Sequence, residues 1–274
     1  MATGHSCKPN PPLSEECRVA SLQSRELQNQ DYTCYLSADE RTKYMSLPSP
    51  TRKSEWLAGR LAAKYIFLNR LETAHVPQVA GWKPTLTNLS ADVLGLYPSW
   101  MYQQVEVVTE GAKPSLVWCG QARRENVSLS HSGGVSCASL TFGAPTAIDI
   151  EGSGPRVAAF YRVNFSHAER RWASGAFSRS YWFFNFLWTL KESVVKLGCF
   201  TQTSIWNLPV IELEDLPRVN DLGSFWFRNT LSNQFALFTL TVKKSARVIP
   251  LQVAVTGTRN LTLTVINPLN GVLK

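Results

Sequence analysis

A helical signature that appears twice obliges a chain to build the same local structure twice. Ser37-Ala38-Asp39-Glu40-Arg41 and Ser166-His167-Ala168-Glu169-Arg170 share the spacing S-x-x-E-R. In such a capping box the serine hydroxyl and the glutamate carboxylate satisfy each other's backbone N–H groups at a helix start. Nineteen residues beyond Ser37, Trp56 opens WLAGRLAAK; twenty-two beyond Ser166, Trp188 opens WTLKESVVK. Spacing of i, i+4, i+8 puts Trp56, Arg60 and Lys64 on one helical face, and Trp188, Glu192 and Lys196 on another. The pattern predicts an internal duplication; chance agreement among common helix formers is the competing explanation.

Strand signals interleave with these helices. Arg18–Leu22, Val105–Val108, Asn126–Ser130, Val135–Leu140, Ala147–Glu151, Phe235–Val242 and Val248–Val255 all carry β-type composition or alternation. The expected fold class is therefore α/β (α+β), a pseudo-twofold of two similar subdomains. Residues 16–145 would form the N-terminal half and 146–255 the C-terminal half, with Gly143-Ala144-Pro145 as the turn between them. Residues 1–15 and 256–274 read as peripheral tails.

Ala147–Glu151 reads AIDIE, and in a strand Ile148 and Ile150 face a core while Asp149 and Glu151 share the other face. Two such carboxylates lie roughly 6.5 Å apart. Their repulsion requires a positive charge nearby.

The wider composition favours anionic partners, since 28 Lys+Arg against 20 Asp+Glu leave a net charge of +8. The six cysteines form no CxxC pair, which predicts reduced thiols and a cytoplasmic location rather than a zinc site or a disulfide framework. Sequons at Asn88, Asn126, Asn164 and Asn260 would matter only in a secreted chain. The opening MATGHSCKPNPPLSEE carries no apolar core of a signal peptide, and the apolar run Tyr181–Leu187 is too short to span a bilayer.

Two further stretches carry chemistry. Ser130-His131-Ser132-Gly133-Gly134 gathers hydroxyls, an imidazole and glycine amides, groups that suit phosphate; it also suits a plain polar hairpin. Glu192 and Lys196 form either an ordinary helix-surface pair or part of a site. Asp149, Glu151 and Glu192 would make an oxygen cage for Mg²⁺, which takes carboxylates, waters and substrate phosphates.

In order, SLSHSGG, then AIDIE with Asp149 eighteen residues after His131, then Phe165-Ser166-His167-Ala168-Glu169, then WTLKESVVK resemble the large, monomeric (Sfp-type) 4′-phosphopantetheinyl transferases. WLAGRLAAK resembles the corresponding helix of that family's first half, and Gly111-Ala112-Lys113-Pro114 its G-K-P segment. Order and spacing agree over about residues 36–200. Ala147 replaces a usual glycine, Ala112 is an insertion, Leu197-Gly198-Cys199-Phe200 differs from the family's longer turn, and nothing matches from about Thr256 onward.

The resemblance implies a fold of two α/β halves, and transfer of phosphopantetheine from coenzyme A to a serine of an acyl or peptidyl carrier protein. The released product is adenosine 3′,5′-bisphosphate. It implies Asp149, Glu151 and Glu192 as ligands of Mg²⁺, with Mn²⁺ as an alternative. Glu192 would accept the serine proton, directly or through water, and Lys196 would stabilise the leaving phosphate. His131, Ser130 and Lys113, with Lys43 and Arg60 as further candidates, would bind coenzyme A. The enzyme is expected to be a monomer without nucleic-acid or membrane partners. Two rivals remain at this stage: another Mg²⁺-dependent phosphodiester enzyme such as a nuclease, and a basic nucleic-acid-binding protein without catalysis.

Overall fold

In the computed structural model, described residues are 16–27, 31–73, 82–110, 113–142, 144–152, 154–175, 180–198, 211–218, 222, 231–244, 247–258 and 260–269. Gly111, Ala112, Gly143, Cys199 and Phe200, and all of 1–15, lie outside them. The class is mixed α/β.

The first half builds a four-stranded sheet from Glu16–Gln23 (β1), Lys83–Leu89 (β2), Asn126–Ser132 (β6) and Val135–Thr141 (β7), in the order β2-β1-β7-β6. A three-stranded sheet of Val105–Glu110 (β3), Lys113–Trp118 (β4) and Gln121–Ala122 (β5) sits beside it. Four helices accompany these sheets: Ala38–Met45 (α1), Pro50–Glu72 (α2), Ala91–Leu94 (α3) and Ser99–Gln104 (α4). α2 starts cleanly because the Ser49 hydroxyl accepts from the Arg52 N–H and Pro50 stands where its missing N–H costs nothing. Leu57, Leu61 and Leu68 of α2 then join Ala20, Leu22 and Ala138 of the sheet in one apolar core.

The second half lays Ser180–Leu197 (α7) across a five-stranded sheet ordered β8-β12-β11-β10-β9. Its strands are Ala147–Gly152 (β8), Glu212–Glu214 (β9), Ala236–Lys244 (β10), Arg247–Gly257 (β11) and Leu261–Pro268 (β12), and Ala158–Asn164 (α5) and His167–Ser174 (α6) precede α7. The strand expectations above correspond to β1, β3, β6, β7, β8, β10 and β11.

The expectation of a peripheral 256–274 fails over its middle. Leu261–Pro268 pairs with β11 on one side and β8 on the other, and all but its first residue are buried. Leu263, Val265 and Ile266 are apolar and Thr262 and Thr264 are buried too, so the Thr-rich composition that reads as solvated is that of an interior strand.

Both capping boxes form, and each glutamate does more than cap. Glu40 Oε2 accepts from the Ser37 N–H and pairs with the buried Lys64 ammonium, while Oε1 accepts from the Val107 N–H. Glu169 Oε2 accepts from the Ser166 N–H and the Lys191 ammonium at 2.9 Å, while Oε1 accepts from the Leu213 N–H. Lys64 also donates to the Tyr35 and Tyr102 carbonyls, and Lys191 to that of Asn164. The same clasp thus occurs twice, with Lys64 matched by Lys191. Lys196, which the Trp-based register would pair with Lys64, lies elsewhere and does different work.

A third apolar cluster joins the halves, with Ile148 and Ile150 of β8 and Leu263 and Val265 of β12 meeting Cys17, Val19 and Cys137. Burying each isoleucine is worth about 1.5–3 kcal/mol. That leaves Asp149 and Glu151 on the opposite face of β8, as the alternation predicts.

Candidate functional site

The hairpin β6–β7 and the edge strand β8 build the centre of the site. Gly133 (φ +58°) and Gly134 (φ +75°) are the two corner residues of that hairpin, a turn that needs positive φ at both positions. Neither glycine lines the cavity described below, so their amides are turn elements and not an anion cradle. The serines of the same stretch act on β8. Its free edge N–H groups at Ile148, Ile150 and Gly152 donate to the hydroxyls of Ser128, Ser130 and Ser132. Two of these hydroxyls pass the bond on: Ser130 donates to Asp149 Oδ1 at 2.7 Å, and Ser132 to Glu151 Oε2 at 3.1 Å. Each relay runs from backbone N–H through hydroxyl to carboxylate, and each bond polarises the next.

Positive charge completes the neutralisation. Lys196 Nζ reaches Asp149 Oδ1 at 2.6 Å and the Ile148 carbonyl at 3.1 Å, and Arg156 meets Glu151 Oε2 at 3.0 Å. Asp149 is nevertheless 1% exposed and its Oδ2 has no partner. Burial pushes the Asp149 carboxyl up, against the pull of Lys196 and Ser130. Glu192, on α7, is pushed up to about 7, first by burial and then by the charge of Asp149, with Glu151 adding and Lys196 opposing. Two carboxylates that raise a third in this way share one confined space.

A hard cation suits this donor set. The buried, unpartnered Oδ2 of Asp149 and the strained protonation of Glu192 are what an added positive charge would relieve. Among the described residues no group of three His, Cys, Asp or Glu is arranged to hold a metal ion. Arg156 occupies Glu151 and Lys196 occupies Asp149 Oδ1, so an ion held by these carboxylates would compete with both pairings.

Beside the carboxylates opens a cavity of about 1040 Å³. Its wall includes Lys43, Arg52, Arg60, Lys113, Arg124 and Lys196, with His131, Ser130 and Trp56 among them. Lys43 and Lys113 are exposed. Arg60 is 9% exposed, stacks on Trp56 at 4.5 Å and donates to the Thr109 hydroxyl, while its Nε has no partner. Lys113 crosses from β4 to the end of α7, where Gly198 (φ +70°) closes the helix; a Cβ there would lie 2.9 Å from the ammonium. Every residue expected from the sequence therefore lies at this cavity or at the carboxylate cluster beside it.

Ser132 was singled out from the sequence for phosphate, whereas its hydroxyl serves Glu151; serines two apart in one strand answer carboxylates two apart in another. Arg156 of the segment before α5 and the pair Arg52–Glu55 at the start of α2 carry no motif and come to the site only through folding.

Comparison with known proteins returns no matching family model and no matching curated protein. Among the described residues no helix is long and apolar enough to cross a membrane.

Proposed function

We propose that this protein is a 4′-phosphopantetheinyl transferase of the large, two-halved kind, moving phosphopantetheine from coenzyme A to a carrier-protein serine. The observation that carries this reading is the convergence of Asp149, Glu151, Glu192 and Lys196 beside a cavity walled by arginine, lysine and histidine. The repeated Glu40–Lys64 and Glu169–Lys191 clasps support the pseudo-twofold that the motif order implies. A nuclease would use the same carboxylates but gives no role to the ordered SHS, FSHAE and WTLKESVVK set.

In this reading the cavity's cations bind the phosphates of coenzyme A. The carrier serine Oγ attacks the phosphorus bearing pantetheine; the new O–P bond forms as the bond to the adenosine 3′,5′-bisphosphate breaks. Glu192, whose raised pKa suits a proton acceptor near neutrality, receives the serine proton. Lys196 faces the charge that develops on the departing phosphate. Ser130 and Ser132 keep Asp149 and Glu151 oriented throughout. Mg²⁺ or Mn²⁺, held by Asp149, Glu151 and Glu192, would supply positive charge to the pyrophosphate when bound.

Incubation with coenzyme A, Mg²⁺ and a panel of apo carrier domains, followed by intact-mass measurement, tests the reading. The expected result is a carrier heavier by one phosphopantetheine group, only when Mg²⁺ is present. An unchanged mass across fatty-acid, polyketide, peptide and lysine-pathway carriers, with the protein folded, would overturn it.

A further inference from the structure

Arg52, Glu55 and His131 form a cluster in the cavity wall that the carboxylate chemistry leaves unexplained. α2 supplies Arg52 and Glu55 about one turn apart, and β6 supplies His131. Arg52 Nη1 meets His131 Nε2, and Glu55 Oε2 lies 3.4 Å from Nδ1. A guanidinium can only donate, so Nε2 is the acceptor and the ring proton sits on Nδ1, toward Glu55. Both ring nitrogens are thus engaged, and the imidazole is held neutral between a cation and an anion.

A phosphate entering the cavity competes for Arg52. It offers the guanidinium two acceptor oxygens in matching geometry and a full negative charge, which a neutral imidazole does not. Once Arg52 turns to the phosphate, Nε2 loses its donor and faces an anion. An anion on one side and Glu55 on the other both favour the imidazolium.

We propose that a phosphate monoester binds at Arg52 and His131 together with one proton, which passes from solvent to Nε2 and faces the phosphate, while the Nδ1–H stays directed at Glu55. The inference rests on the transferase reading only for which phosphate arrives, namely one of coenzyme A. The proton linkage applies to any monoester that reaches this wall.

The other charged groups acting on the ring are Lys196 from α7 and Asp149 from β8; Lys43 of α1, Arg60 of α2, Lys113 of β4, and Arg123, Arg124 and Glu125 complete the charged wall. In the free protein burial, then Arg52 and Lys196, hold His131 below its ordinary pKa against Glu55 and Asp149. Near neutral pH the free ring is therefore unprotonated. Uptake on binding is the difference between that state and the bound imidazolium.

Titration calorimetry with adenosine 3′,5′-bisphosphate and, separately, glycerol 3-phosphate reads this directly. Runs at about pH 7.5 in buffers of differing ionisation enthalpy keep the monoester dianionic, since its second pKa is near 6. Wild type should take up most of one proton per ligand. His131→Gln should bind more weakly with uptake close to zero, and Glu55→Gln should bind with reduced uptake. Imidazole ¹⁵N shifts should report the Nδ1–H tautomer in the free protein and a doubly protonated ring in the complex, and they decide the matter on wild type alone if a variant does not fold. A carrier that is modified without proton uptake would sink this inference and spare the transferase; uptake without modification would do the reverse. An Nε2–H tautomer in the free protein, equal uptake in His131→Gln, or no binding of either monoester would also overturn it.

Discussion

Lys196 Nζ lies 2.6 Å from Asp149 Oδ1, while Oδ2 of the same carboxylate is buried without a partner. A carboxylate satisfied on one oxygen only is poised to take another ligand, because an unmet buried acceptor costs about 1–3 kcal/mol.

Asp149→Asn should lower the Glu192 pKa. Asp149 is the charge that contributes most to raising it to about 7, after burial. Carboxyl ¹³C titration of the metal-free protein checks this, and a value still near 7 in the variant would mean that the two groups do not share one space.

Glu192→Gln should divide activity from stability. If Glu192 is the proton acceptor of the proposed transfer, its loss should slow that reaction by about 10²–10⁴. Stability should move the other way. A carboxyl raised from 4.5 to about 7 on folding binds protons more tightly in the folded state, so its contribution falls as pH rises between those values. The glutamine removes that loss. In metal-free protein the variant should equal wild type near pH 4.5 and exceed it at pH 8 by on the order of 1–3 kcal/mol. Denaturant midpoints at the two pH values measure the difference.

Ser130→Ala should destabilise more than Ser132→Ala. Without the Ser130 hydroxyl, the Ile150 N–H loses its acceptor and Asp149 a donor in a buried setting, for about 1–3 kcal/mol. Glu151 keeps the Gly152 N–H and Arg156 when Ser132 is truncated. Equal losses in chemical denaturation would show that the relays are not the source.

Lys64→Met and Lys191→Met should each cost about 3–5 kcal/mol, since each strands a buried glutamate. Burial lowers both lysine pKa values, with Glu40 and Glu169 opposing. Near-equal losses in thermal or denaturant unfolding would fit two copies of one clasp; a loss in only one half would mean that the repeat is superficial.

The capping boxes and the β8 alternation were legible because they are local: four residues or five suffice to specify them. The match of Lys64 with Lys191 was not, because tryptophan spacing suggested a register that the buried glutamates do not honour. Helical periodicity marks a face but not which lysine along it finds an anion. β12 was misjudged since threonine and asparagine read as solvent-facing until the hydroxyl partners are known, as with Thr189 and Thr264 at 2.7 Å. Arg52, Glu55 and Arg156 had no signal, being ordinary surface residues until tertiary contacts give them a place.

The position of β12 has a consequence for how the protein comes into being. β8 has one edge on the serines of β6 and the other on β12, so the strand bearing Asp149 and Glu151 stays open on one side until residues 261–268 have been translated. Everything else in the cluster, from Ser130 to Lys196, precedes β12 in the chain. A nascent chain therefore lacks one of the two edges that hold the strand of Asp149 and Glu151 until this last described strand pairs with β8.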